Sequence, residues 1–289
     1  MVDGKKVMLF WHQNYPYFCK KKMNLEKICA KVQTIAKTAG AFIAGEREKF
    51  NLADIEVKGK ADFVSYVDKQ AEVMIIENLR KILPGSGFIA EEGTASKTDD
   101  KFQWIIDPLD GTTNFVHGLP PFAVSIALMD GMELVLGVIY EITQDECFYA
   151  WKGSQAFLNG KEISVTTAAK TSDALIATGF PYSAMNMLDP FVKSMRYFMI
   201  HSHGLRRLGS AATDLAYLAA GRFEAFYEHG LKPWDVAAGA IIVKQAGGKI
   251  SDFNGTDQFL FNGEIVASNS AYFEEFYNLV HNHLVINKN

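Results

Sequence analysis

Acidic residues stand in four places where their chemistry could combine. Asp107 and Asp110 bracket Pro108-Leu109 at the end of a run, 103–106, that reads as a strand. Glu91-Glu92-Gly93 follows a second short strand at 87–90. Asp235 follows Pro233-Trp234 at the start of a helix, and Asp68 opens another helix. Strand ends can bring side chains from separate segments to one rim. Asp107 and Asp110, three apart across a turn that Pro108 stiffens, can point at one place. Carboxylates gathered there repel each other, and a divalent cation removes the repulsion. Oxygen ligands without Cys or His favour Mg²⁺, Ca²⁺ or Mn²⁺ over zinc. Gly111-Thr112-Thr113 follows at once. Glycine lets backbone approach a ligand closely, and N–H groups entering a helical turn suit a phosphate. Metal ligands beside an anion cradle make the arrangement of metal-assisted phosphate chemistry. Each acid taken singly fits a turn or a helix cap equally well, and Asp-Pro-x-Asp-Gly fits a plain turn. Spacing alone leaves both readings open.

The elements that must position these residues follow from the apolar pattern. Leu25, Ile28, Cys29, Val32, Ile35, Ala36 and Ala39 fall at three- and four-residue steps, so a helix begins at Asn24, a good N-cap. Gly40 or Gly45 is expected to weaken its end. A second helix spans about 67–83 and stops at Pro84-Gly85. Residues 58–62 read as a polar turn between the two. Strands are expected at 87–90, 103–106, 123–129, 134–140, 147–151 and 161–165, with tight turns at Asp130-Gly131 and Asn159-Gly160. Beyond Ser172, strands are expected at 174–178, 223–227 and 265–267. Helices are expected at 190–201, 209–220, 234–245 and 272–283, the third ending at Gly247-Gly248. Helices followed by antiparallel strands make this an α+β chain, not an alternating βαβ one. No Pro/Ser-rich linker or internal repeat divides it. The expectation is one two-lobed domain over 23–289, with lobes of about 23–170 and 171–289.

The 289 residues are 48% hydrophobic, enough to bury a sizeable core. Lys and Arg number 29 against 33 Asp and Glu, a net charge of −4 that argues against non-specific nucleic-acid binding. Three scattered cysteines, Cys19, Cys29 and Cys147, form neither a disulfide framework nor a zinc spacing. They suit a reducing compartment, and a cytoplasmic protein is expected. No apolar run reaches membrane-spanning length. Residues 1–22 lack the apolar stretch and cleavage site of a signal peptide. They read as an N-terminal extension, with the folded unit starting at Met23.

The string from Trp104 to His117, Trp-Ile-Ile-Asp-Pro-Leu-Asp-Gly-Thr-Thr-Asn-Phe-Val-His, resembles the signature of the inositol monophosphatase family. The family's second signature is matched by Trp234-Asp235-Val236-Ala237-Ala238-Gly239, continuing to Gly247-Gly248. Phe88 to Gly93 resembles its metal-binding glutamate segment, and Asp62 to Asp68 its upstream Asp-x-Val-(Thr/Ser)-x-x-Asp stretch. The resemblance runs from about Asn24 to His283 with all motifs in family order. It implies a layered α/β/α/β/α sandwich of the inositol monophosphatase and fructose-1,6-bisphosphatase type, usually a homodimer. It also implies a Mg²⁺-dependent, lithium-sensitive phosphomonoesterase with two to three ions per site. Glu91, Asp107 and the carbonyl of Leu109 would hold the first ion. Asp107, Asp110 and Asp235 would hold the second, and Glu91 with water a weaker third. Thr112, hydrogen-bonded to Asp68, would orient the attacking water. Gly111, Thr112 and Thr113 would cradle the phosphate. Glu228 would take substrate hydroxyls, and the loop with Ser210 and Ala211 would pack beside the substrate ring. The implied substrate is myo-inositol 1-phosphate or a similar small polyol phosphate, with no nucleic-acid or membrane partner. Relatives with this metal core hydrolyse fructose 1,6-bisphosphate, histidinol phosphate or adenosine 3′,5′-bisphosphate. The nucleotide enzymes usually carry Lys-Glu where this chain has Thr113-Asn114. A non-catalytic, metal-binding regulatory partner is the reading from a different class.

Other residues read as less committed. His201 and His203 fit a loop pair as well as a chelate. His117 follows the signature and could line the cleft. Arg206 and Arg207 could steer an anion or pair at a surface. Trp104 and Trp234 fit core anchors. Lys58 and Lys60 lie on a loop that reaches the site in relatives, and the spacing here singles out neither.

Overall fold

The computed structural model describes residues 23–49, 55–57, 63–94, 100–182 and 184–285. The expected extension at 1–22 and the loop with Lys58, Lys60 and Asp62 lie outside the described residues. Helix α1 (Leu25–Arg47) is capped by Asn24, whose side chain accepts the Lys27 N–H at 2.9 Å. Its buried face repeats at helical spacing through Cys29, Val32, Ala36, Ala39 and Ile43. Gly40 does not weaken the helix end, because α1 runs on for seven residues to Arg47. A Cβ at Gly40 would lie 2.4 Å from the Tyr140 ring, so this glycine is a point of close approach. A hairpin of β1 (Ile55–Val57) and β2 (Phe63–Ser65) then leads into α2 (Tyr66–Ile82).

The first sheet has seven strands in chain order. They are β3 (Gly87–Ala90), β4 (Phe102–Asp110), β5 (Ala123–Asp130), β6 (Glu133–Glu141), β7 (Glu146–Trp151), β8 (Ala156–Leu158) and β9 (Lys161–Ile163). A short helix, α3 (Thr112–His117), interrupts β4 and β5. Strands β3 and β4 run parallel, and the rest form an antiparallel meander. Alternation sorts the side chains between two cores. Trp104, Ile106, Val124, Ile126, Leu128 and Val138 pack with α1 and α2, while Ile105, Ala127, Met129 and Ile139 face the other way.

The second half supplies β10 (Leu175–Thr178), α4 (Leu188–His201), β11 (Gly204–Arg206), α5 (Ala211–Ala219) and β12 (Ala225–His229). It continues with α6 (Pro233–Gln245), β13 (Gly248–Ser251), α7 (Phe259–Asn262), β14 (Glu264–Asn269) and α8 (Phe273–Leu284). Its five strands order β11-β10-β12-β14-β13. Strand β10 is parallel to both neighbours, and β14 is antiparallel to both of its own. Helices α5 and α6 lie between the two sheets. Helix α6 is buried all round from Val236 to Val243, as a helix enclosed on both sides must be. Gly137 of β6 admits it, since a Cβ there would meet the Ala238 carbonyl at 2.6 Å. Helices α4 and α8 cover the outer face of the second sheet. The layers are therefore α1–α2, seven strands, α5–α6, five strands, α4–α8, which is the expected α/β/α/β/α sandwich. Strands β8, β11 and β13 and the short helices α3 and α7 are not among the elements expected from the sequence. Among the described residues, no helix is long and apolar enough to cross a membrane.

Candidate active site

The expected proline turn at Asp107–Asp110 is a strand instead. Strand β4 runs through Pro108 to Asp110, and its register slips against β5. Asp107 faces Ser125 and Asp110 faces Ala123, so three steps on β4 match two on β5. An extra residue of this kind makes a β-bulge, which bends the strand and re-aims side chains. Proline is tolerated at a bulge because no ladder N–H is needed there. Inside the bulge, the Leu109 N–H donates to Asp107 Oδ1 at 2.9 Å. Gly111, at φ 92°, turns the chain into α3. A Cβ on it would crowd the carbonyls of Pro121 and Gly209, at 3.0 and 3.3 Å.

Asp235 arrives from the other half of the chain. It sits in the first turn of α6, where its Oδ2 accepts the Lys232 N–H at 2.7 Å. The Ser125 hydroxyl donates to the Trp234 carbonyl at 3.2 Å, tying the start of α6 to β5. Carboxylate oxygens of Asp107, Asp110 and Asp235 then all lie within 4.8 Å of one another. Burial pushes Glu91 up to about 9, with the charges of Asp235 and Asp68 adding to it. Asp107 is held well above the carboxylate range by burial and by Glu91, Asp110 and Asp235. Burial lifts Asp110 only to about 6, because hydrogen bonds oppose it. They come from the Ser210 hydroxyl at 2.6 Å and the Ala212 N–H at 2.7 Å. Buried acids raised together are short of positive charge. Their donors are all oxygen, so the set fits a hard divalent cation. Asp68, in the first turn of α2, is 2% exposed.

Thr112 departs from what the resemblance implies. Its hydroxyl donates to the Leu109 carbonyl at 3.0 Å, not to Asp68. A hydroxyl carries one proton, and the bulge carbonyl takes it. Thr113 is exposed beside it at the start of α3. Asn114 Nδ2 donates to the carbonyls of Pro121 and Leu208, both at 2.8 Å, and so ties α3 to the segment before Gly209. Glu72 was not singled out from the sequence. It is fully buried and accepts the N–H groups of Glu92 and Thr94 at 2.7 and 2.8 Å, and the Thr94 hydroxyl at 2.7 Å. These bonds hold the segment that carries Glu91. The available signal was its spacing: four residues after Asp68, it falls on the same face of α2.

Beside the acids lies a cavity of about 120 Å³. Asp110, Gly179, Arg207, Ser210, Asp214 and Glu228 line it. Strand β12 begins two residues later than expected and takes Glu228 into its ladder opposite Ile265. Burial pushes Glu228 up to about 8, with Arg207 opposing the shift and the charges of Asp235 and Asp110 adding to it. Ser210 caps α5 by accepting the Thr213 N–H at 3.2 Å, and Ala211 begins that helix. Gly179 and Asp214 belong to this cavity, and neither stood out in the sequence.

The remaining candidates sit elsewhere or do structural work. His201 ends α4, where its ring stacks on Tyr197 and its Nδ1 meets the Tyr197 carbonyl at 2.8 Å. His117 is exposed at the end of α3. Trp104 is fully buried and donates to Ser86 at 3.0 Å. Arg206 bonds its neighbour's carbonyl at 2.9 Å. A larger cleft, about 700 Å³, lies between the β5–β6 turn and α7, away from the acids. Its Lys152 and Glu133 pair with each other at 2.7 Å.

A layered α+β sandwich with acids gathered at a strand bulge and a helix start is a framework that suits metal-assisted phosphate chemistry. A sequence model of the inositol monophosphatase family matches residues 24–284. The inositol-1-monophosphatase of Mesorhizobium japonicum is 43% identical over 237 residues, 82% of this chain and 89% of that protein. Nus factor SuhB of Escherichia coli is 43% identical over 235 residues, 81% of this chain and 88% of that one. The crystal structure of extragenic suppressor protein SuhB from Bartonella henselae superposes with a TM-score of 0.82 at 38% identity. That match covers 88% of this chain and 98% of the other. The chain belongs to the inositol monophosphatase family.

Proposed function

We propose that this protein is a Mg²⁺-dependent phosphomonoesterase acting on myo-inositol 1-phosphate or a similar small polyol phosphate. The observation that carries the reading is the cluster of Asp107, Asp110 and Asp235, within 4.8 Å of one another at the mouth of α3. Glu91, Asp107 and the Leu109 carbonyl would hold one ion, and Asp107, Asp110 and Asp235 a second. Glu91 would also support a weaker third. Ions bound there stabilise charge on the phosphoryl group and lower the pKa of a bound water. The chain's own groups do the rest. Gly111, Thr112 and Thr113 present the open N–H groups of the first turn of α3 to the phosphate. The Thr112 proton rests on the Leu109 carbonyl, so its oxygen is left to accept a hydrogen bond from the attacking water and orient it. Asp68 and Glu91, buried near each other, are the carboxylates on which the water proton would come to rest. Glu228 takes substrate hydroxyls, with Ser210 and Ala211 walling the ring. The absence of Lys-Glu at Thr113-Asn114 weighs against nucleotide bisphosphates. Family membership also makes lithium inhibition the expected response.

Phosphate release from myo-inositol 1-phosphate, with and without Mg²⁺ and chelator, tests the reading. Asp110→Asn and Asp235→Asn should each abolish Mg²⁺-dependent turnover while leaving the circular-dichroism spectrum unchanged. Full activity in either variant sinks the site assignment. A more than tenfold preference for adenosine 3′,5′-bisphosphate would overturn the substrate class.

A second reading comes from the relatives named Nus factor SuhB, a name for a factor and not for an enzyme. A regulatory binding role in place of catalysis would leave the protein inert toward every phosphate ester in the same assay. The homodimer rests on the family resemblance alone, and Val192, Met199 and Ile200, exposed on the outer side of α4, are residues that a partner there would cover. Light scattering reads it directly. The functional unit is taken to be the two-lobed domain from Met23, and a chain starting there should keep full activity.

A further inference from the structure

Asp214 lies in α5, one helical turn beyond the Ser210 cap that holds Asp110. It is 1% exposed, and its Oδ1 is a buried acceptor with no hydrogen-bond partner. A buried carboxylate oxygen without a donor is costly, so such an atom calls for a ligand. Asp214 lines the same cavity of about 120 Å³ as Glu228 and Arg207. The Arg207 guanidinium lies over the rings of Phe180 and Tyr182, at 5.2 and 5.7 Å from their centroids. That stacking fixes its plane and leaves its N–H donors for a guest. The cavity wall therefore offers acceptors on two carboxyls and donors on one guanidinium. A hydroxyl both donates and accepts, so neighbouring hydroxyls match this wall. A second phosphate would be a charged group buried among Asp110, Asp214 and Glu228, with Arg207 the one cation on the cavity wall, and burying charge without a matching counter-charge is costly.

Resting on the phosphatase reading above, we infer that Asp214 is a substrate-binding residue. With Arg207, it takes a hydroxyl of the polyol beyond the one held by Glu228. The site thereby selects polyhydroxylated monophosphates over bisphosphates and over esters without hydroxyls.

The test compares Asp214→Ala and Asp214→Asn with wild type on myo-inositol 1-phosphate and on phenyl phosphate at saturating Mg²⁺. Alanine should raise KM for the inositol ester about tenfold, the loss of a buried hydrogen bond to the substrate. KM and kcat for phenyl phosphate should change less than about twofold. Asparagine keeps an acceptor oxygen and should recover part of the loss. Equal losses on both esters in both variants would show a structural role and overturn the assignment. An unchanged KM for the inositol ester in the alanine variant would overturn it while leaving the phosphatase reading intact. Wild-type turnover of phenyl phosphate but not of the inositol ester would overturn the polyol reading and the subsite together.

Discussion

A methyl group on Gly179 would fall 1.8–2.2 Å from the Glu228 carboxylate atoms. The obstacle is the far end of a flexible side chain, so Gly179→Ala should fold with Glu228 pushed aside. Its expected effect is a rise in KM for a polyol phosphate of about tenfold, with phenyl phosphate turnover and Tm nearly unchanged. Steady-state kinetics on the two esters checks this, and an unchanged KM would remove Glu228 from substrate binding. The residue scale also shows how legible the site was. Glu91, Asp107, Asp110 and Asp235 declared themselves through motif strings. Gly179 and Asp214 did not, because a lone glycine and a helical aspartate carry no signal until the fold sets them around one cavity.

Elements hold these residues through a few close contacts. Helix α6 delivers Asp235 only because Gly137 lets its backbone press on β6, with the Ala238 carbonyl 2.6 Å from a would-be Cβ. The clash is with backbone, so Gly137→Ala should cost about 1–3 kcal/mol in urea unfolding. A stability equal to wild type would show that α6 can shift freely. Glu72 plays the corresponding part for the Glu91 segment. Glu72→Ala leaves the N–H groups of Glu92 and Thr94 without their acceptor and should cost about 1–2 kcal/mol. It should also weaken Mg²⁺ binding by calorimetry, and unchanged affinity would deny Glu72 its positioning role. At this scale the sequence misled in a specific way. Pro108 reads as a turn because proline normally ends a ladder. Whether it ends a strand or sits in a bulge depends on the register of β5, which is set by residues far along the chain.

The whole molecule concentrates acids in one cleft, and that gives stability a pH dependence. Glu91, Glu228 and Asp110 are pushed up to about 9, about 8 and about 6. An acid raised in the folded state binds more protons folded than unfolded, so stability falls as pH rises through the folded value. Held in chelator, the protein should lose Tm progressively from about pH 5, above the ordinary carboxylate range, toward pH 9. Mg²⁺ should flatten that slope and bind more tightly as pH rises, because its ligands must shed protons. A chelated protein with constant Tm across this range would mean that the acids are offset by other charges.

The sequence by itself determined the longer helices, the longer strands, the α+β class and the identity of the acids. Those features are written locally, in apolar spacing, caps and contiguous motifs. The resemblance already implied that Asp235, more than a hundred residues from Asp110, joins it at one rim, and the tertiary structure brings them together; the structure alone decided that Thr112 bonds Leu109. It alone placed Gly179, Arg207, Asp214 and Glu228 around one cavity. These are long-range juxtapositions, set by how two sheets close on α5 and α6, and no local pattern encodes them.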